Sequence, residues 1–263
     1  MTDTRFVLAF FGIRQSPGGV EDILSLTEKW FVTLGFSPDK LGIDGKGHSG
    51  KVGDFRRNRS KLRKSGFESV TGFSLRCSFP ESNVSGMEYY AAASVAFSSD
   101  DGGHIVTATP VSPTMANGWR GIARQIVDIA SPKYGIGFSR DLGSGPIWYA
   151  LGINQSRGEP LSGDAYEEER TISRWCNVGM PMQVWRQGLL RDVYQWNFLT
   201  KPQLNRPVRG IPLRQWIESD PRRGRLSRFA GEMFLWEVQD SQILELREEL
   251  RAADVIFDWR KFQ

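Results

Sequence analysis

The chain opens on a short unbroken apolar run, Phe6 to Phe11, that stops at Gly12. A run of that length bounded by glycine reads as a strand buried on both faces and central in a sheet. After Gly18 and Gly19, Val20, Ile23, Leu24, Trp30, Phe31 and Leu34 recur at the three-and-four spacing of an amphipathic helix that Gly35 can end. Glycine is then dense from Lys40 to Gly53. Residues 54 to 65 read as a mostly exposed helix, capped by Asp54 and with few apolar positions beyond Phe55 and Leu62. Val70 to Phe79, Tyr89 to Phe97 and His104 to Val111 follow as three strands separated by turn-rich stretches, which predicts an antiparallel meander.

Helical spacing returns at Trp119, Ile122, Ala123, Ile126, Val127 and Ala130, and Ser131-Pro132 closes it. Tyr134 to Phe138 and Ile147 to Ile153 are expected strands around a loop at 141–146. The stretch from Gly158 to Arg209 is irregular, with a short helix at Tyr166 to Trp175. Leu213 to Ile217 predicts a helical turn and Met233 to Val238 a strand. Ile243, Leu246, Leu250 and Ala253 line a last helix capped by Asp240 or Ser241, and Val255 to Phe257 is expected to return as a closing strand. This order gives an α+β class with largely antiparallel sheets and packed helices. It suits two fused sheet-and-helix units, 1–113 and 114–263, or one continuous domain.

Composition adds few constraints. With 263 residues and 12% aromatic content the chain can bury a core without staples, and Cys77 and Cys176 alone build no disulfide framework. A reducing compartment follows. The first residues lack a basic segment and a signal-length apolar run, and no stretch reaches the 18 apolar residues of a membrane span, so the expected location is cytoplasmic. The formal charge is only +4, but it is unevenly spread. Lys51, Arg56, Arg57, Arg59, Lys61, Arg63 and Lys64 stand against Asp54 alone, while 237–258 carries seven acids against Arg247 and Arg251.

The residues that bear chemistry form no complete set. Gly45-Lys46-Gly47-His48-Ser49-Gly50-Lys51 contains the glycines and lysine of a phosphate loop, but Val52 stands where a magnesium-holding Ser or Thr is needed, and the segment reads as a surface loop. His48 and His104 sit in glycine-flanked loops without a nucleophile motif. Glu167-Glu168-Glu169 fan around a helix and do not converge on one point. Carboxylates converging from distant segments leave no motif, so a hydrolase stays a weaker alternative. The expectation is a binding protein, not an enzyme, with no cofactor and no metal.

Two groups are candidates for contact. Trp148, Tyr149, Trp185, Arg186, Arg191, Tyr194 and Trp196 crowd the second half, and Trp, Tyr and Arg dominate the energetic centres of protein interfaces. Equally, an irregular segment needs large anchors to pin it to its own sheet. The basic residues 51 to 64 are the alternative, a phosphate-tracking surface for nucleic acid, with the arginines between Arg206 and Arg228 as a second basic region.

Phe11-Gly12-Ile13-Arg14-Gln15-Ser16, leading into the helix with Trp30 and Leu34, resembles the start of immunity proteins of bacterial polymorphic and type VI secretion toxin systems. Tyr134-Gly135-Ile136-Gly137-Phe138 followed by Gly145-Pro146-Ile147-Trp148-Tyr149-Ala150-Leu151-Gly152 is similar to a strand-loop-strand pattern of the same proteins. The resemblance implies an α+β fold, no cofactor and a protein partner, a cognate toxin that the chain neutralises. Such proteins are often acidic where their targets are basic nucleases, whereas this chain is basic. No binding residue is carried over by position.

Overall fold

The computed structural model describes residues 4–14, 19–79, 89–98, 102–111, 116–153, 163–177 and 184–262. In chain order they form β1 (Thr4–Ile13), α1 (Gly19–Thr33), β2 (Lys40–Gly45), β3 (His48–Ser49), β4 (Gly53–Asp54), α2 (Phe55–Ser65), β5 (Val70–Cys77), β6 (Ala91–Ala96) and β7 (Gly103–Pro110). The second half adds α3 (Ala116–Ala130), β8 (Tyr134–Asp141), α4 (Pro146–Leu151), α5 (Gly163–Asn177), β9 (Trp196–Leu199), α6 (Lys201–Leu204), β10 (Pro207–Val208) and β11 (Ile211–Pro212). It ends with α7 (Leu213–Glu218), β12 (Arg225–Ala230), β13 (Met233–Glu237) and α8 (Asp240–Ala252).

The class is α+β, dominated by one large antiparallel sheet in the order β12-β13-β9-β8-β1-β7-β6-β5-β2-β3, with β4 also on β2. β10 and β11 pair separately. As its unbroken apolar run predicts, β1 lies inside the sheet, antiparallel to β7 on one side and β8 on the other. One sheet therefore takes strands from both sides of residue 113. Alternation sends Leu8 and Phe10 of β1 to a core under α1 and α3, and Val7, Ala9 and Phe11 to a core under α4, α5, α7 and α8. The glycines of β8 follow from the same alternation. A Cβ at Gly135 would lie 2.5 Å from Cδ1 of Phe10, so the ring and a side chain cannot share that site.

The meander β5-β6-β7 and helices α1, α2, α3 and α5 lie where periodicity places them. Asp54 caps α2, its carboxylate accepting from the Arg57 amide at 2.8 Å. Four expectations are corrected. Residues 147–153, expected as a strand, belong to α4 and its end, because Pro146 starts a helix at N1 while Gly145 and Gly152 bracket it in left-handed conformation. Val255 to Phe257 makes only an isolated bridge, Leu190 to Ile256, because it runs beside one residue of a turn. α8 is capped by Gln239, which shares a capping box with Gln242. The glycine-rich stretch 45–51 is a hairpin, Gly45 pairing His48 and Asp44 pairing Ser49, and β4 separates it from α2, so the loop does not open directly into a helix whose amides could hold a phosphate.

Candidate functional site

The two faces of the sheet are covered unequally. Among the described residues the second core takes side chains from β1, β7, β8, β9 and β13 but none from β2, β5 or β6. Those three strands turn their large residues, Leu41, Ile43, Phe73, Leu75 and Val95, to the first core. The opposite side carries the small residues Ser74, Ala92 and Ser94 as a floor, while Gly42 lies beneath Val52 and Gly50, and Gly72 lies beside the Asp44 carboxylate. Where the helices stop, α4 stands as a wall beside this floor.

The wall is held in place from behind. Ala150 is fully buried, and its carbonyl accepts from Nη1 of Arg191 at 2.8 Å. Gly152 has φ +69, and a Cβ there would lie 2.5 Å from Cβ of Cys176, so α5 presses directly on the end of α4. Tyr149 turns inward, its hydroxyl donating to Glu168 at 2.9 Å. Ile147, Trp148 and Leu151 are left half-buried against the floor.

The cleft between wall and floor, a small space of ≈ 70 Å³ partly open to solvent, is lined by Ser74, Ala92, Ser94 and Ala108 below and by Leu142, Ile147, Trp148 and Leu151 at the side. Arg5, Arg76 and Tyr89 close its end, and among the described residues no acid lines it. Arg5 is buried and donates through Nε to the Tyr90 carbonyl at 3.0 Å. The Arg76 guanidinium stacks on Tyr89, 4.3 Å from the ring centroid. Stacking uses the flat face of a guanidinium and leaves its in-plane donors directed outward.

The remaining aromatic and arginine candidates lie elsewhere. Trp185, Arg191 and Tyr194 are buried in the second core, and Trp196 is half-buried on the first face, 5.1 Å from Phe6. Arg186 alone is exposed. Among the described residues Arg191 has no carboxylate partner. Its Nε donates to the Tyr194 hydroxyl at 2.8 Å, and the rings of Tyr149, Tyr194 and Phe11 surround it at 5.2, 5.3 and 5.8 Å. Its second Nη is buried without a hydrogen-bond partner. Burial raises the pKa of Tyr149 and Tyr194, so both stay neutral beside the guanidinium. Asp192 next to it pairs with Arg247 at 2.7 Å, and burial raises its pKa against the pull of that arginine. Asn197, which no motif singles out, closes the same turn by accepting from the Tyr194 amide and donating to the Tyr194 carbonyl.

On α2, Arg59 faces inward and meets Glu28 at 3.0 Å. Arg56, Arg57, Lys61, Arg63 and Lys64 are exposed, as is Lys51, and none of these six forms an ion pair among the described residues. The five on the helix share the side opposite Leu62, as their spacing requires.

Of the groups weighed for catalysis, His48 lies in the hairpin and His104 on β7, where burial lowers its pKa to about 4. Glu167 accepts from Nε1 of Trp259 and pairs with Arg260 at 2.5 Å, while Glu168 serves Tyr149, so two of the three acids tie α5 to its neighbours. Among the described residues no three or more His, Cys, Asp or Glu side chains come together to hold a metal ion. No helix among them is long and apolar enough to cross a membrane.

No family profile and no curated protein matches the sequence. The fold has a counterpart in a solved structure, the Pseudomonas aeruginosa T6SS protein PA0821. The two superpose with a TM-score of 0.58 over 95% of this chain and 72% of the other, at 10% sequence identity. At that identity the likeness is one of fold.

Proposed function

We propose that this chain is a non-enzymatic binding protein of the immunity type, which neutralises a cognate bacterial toxin by direct protein contact. The observation that carries the reading is the cleft between α4 and the small-residue positions Ser74, Ala92, Ser94 and Ala108 of the sheet. There a half-buried tryptophan and an arginine lying over a tyrosine ring flank a small-residue floor, and Trp, Tyr and Arg dominate interface centres. The fold shared with a T6SS protein supports the same reading. Because Trp185, Arg191 and Tyr194 are interior, the contact falls to Trp148 and the residues around it, with Arg186 as an outlying exposed cation.

Co-expression with the product of an adjacent toxin gene should yield a stoichiometric complex. Truncating Trp148 to Ala should weaken it by roughly tenfold or more, the effect of removing an interface anchor. Failure to form a complex with any such product counts against the reading, as does a complex indifferent to Trp148.

A second reading rests on α2. Six cations on and beside one short helix, none in an ion pair among the described residues, could track nucleic-acid phosphates. If five phosphates are engaged, log affinity for duplex DNA should fall against log salt with a slope of about −4.5. Replacing Arg56, Arg57 and Arg63 by Gln should flatten that slope by about 3. Binding undetectable at low salt disposes of this reading.

A further inference from the structure

We propose that the α4 cleft is an anchor pocket for one large apolar side chain of the partner protein, carried beside a carboxylate that pairs with Arg76. The proposal rests on the partner-binding reading above and supplies the chemistry of the contact.

The floor fixes the apolar half. Ser74, Ala92, Ser94 and Ala108 stand where an antiparallel sheet facing a helix ordinarily places Val, Ile or Phe, so the depth those side chains would fill is left empty. Ile147, Trp148 and Leu151 offer apolar surface to whatever enters. An indole, phenyl or branched aliphatic group therefore buries its surface on both sides, and a polar group would lose hydration there without enough partners.

Charge fixes the other half. Among the described residues the lining includes Arg5 and Arg76 and no acid. Arg5 spends its Nε on the Tyr90 carbonyl. Arg76 is held by Tyr89 and forms no ion pair among the described residues. Its position at the end of the cleft places the carboxylate next to the apolar anchor and outside the pocket. An aromatic ring beneath a guanidinium restricts its rotamers, so a carboxylate meets a pre-oriented fork.

The test uses the full chain and two probes with the same ring and opposite charge, indole-3-propionate and tryptamine. Each is titrated while the indole N–H resonance of Trp148 is followed, assigned by its loss in Trp148→Phe. Indole-3-propionate should shift that resonance saturably and bind roughly five- to tenfold tighter than tryptamine, the gain of one charge-assisted contact at a partly exposed site. Arg76→Gln should abolish the preference and keep the shift. Ser94→Leu, which fills the floor from a strand position, should remove binding of both.

A silent Trp148, equal binding of the two probes, or a preference that survives Arg76→Gln overturns the proposal. So does self-association that Ser94→Leu dissolves, because the occupant is then a second copy of this chain. Silence in the titration alongside an intact toxin complex sinks the cleft alone. Saturable binding without any toxin complex sinks the function and leaves the cleft standing.

Discussion

Arg191 carries its charge where water does not reach, and its neighbours are aromatic faces and neutral acceptors. Nε reaches Tyr194 and Nη1 reaches the Ala150 carbonyl, two directions that only a planar fork spans at once. Arg191→Lys keeps the buried charge and loses one of the two contacts, whereas Arg191→Met keeps the volume and removes the charge. The lysine variant should therefore be the less stable of the two, by about 2–4 kcal/mol below wild type, in urea denaturation at neutral pH. A lysine variant as stable as wild type would show that the aromatic cage, and not the fork, sets the energy. His104 gives a pH dependence of definite sign. Burial lowers its pKa from 6.5 to about 4, and its Nε2 has no hydrogen-bond partner. Between those values the unfolded chain binds the proton and the folded chain does not, so the stability contribution present above pH 6.5 is lost as pH falls toward 4. Glu28 and Asp192, whose pKa values burial raises, act in the opposite direction. The histidine is isolated by comparing wild type with His104→Gln at several pH values. The difference between them should shrink on acidification, and a constant difference would refute the assignment.

At the scale of elements, α4 shows how much was legible and why the rest was not. Ile147 to Ile153 is apolar enough for a strand, and periodicity cannot separate a six-residue half-buried helix from a strand of equal length. Pro146 between Gly145 and Gly152 holds the signal that decides it. β9 escaped for the opposite reason. Trp196-Asn-Phe-Leu199 carries a polar residue at an inward position, and Asn197 is buried only because three backbone groups of Tyr194 and Trp236 satisfy it. Two of those bonds are local, to a residue three positions earlier, but the third reaches β13 and leaves no trace in the local sequence. By contrast β1, α1, α3 and the basic α2 each bury a face that sequence spacing already marks. The cleft was half visible. Trp148 stood out as a residue type, while the bare floor follows from which strands the helices fail to cover, a property of topology. The wall depends on Gly152. Gly152→Ala would strain a left-handed residue and drive a methyl into Cys176, at a cost of about 2–4 kcal/mol combining both effects. The cost should appear in thermal unfolding together with a weaker response of Trp148 to indole-3-propionate. An unchanged melting temperature would mean that α4 and α5 can part without penalty.

For the whole molecule the question is whether two cores on opposite faces of one sheet behave as one body. The central strand belongs to both, since Leu8 and Phe10 enter the first core and Val7, Ala9 and Phe11 the second. β1 also bonds to β7 before residue 113 and to β8 after it, so neither half keeps a closed sheet when the other opens. Strands in the middle of a ladder cannot be released one face at a time, because the backbone hydrogen bonds they share are common to both faces. A change on one face should then be felt on the other. Phe10→Ala removes a ring packed 4.8 Å from Phe198 in the first core and should cost about 3–5 kcal/mol. Hydrogen exchange read at α1, over the first core, and at α8, over the second, separates the alternatives. Coupled cores predict that the most protected amides of both helices lose the same protection free energy in Phe10→Ala. Loss confined to α1, with α8 as protected as in wild type, would mean that 1–113 and 114–263 open as separate units in spite of the shared sheet.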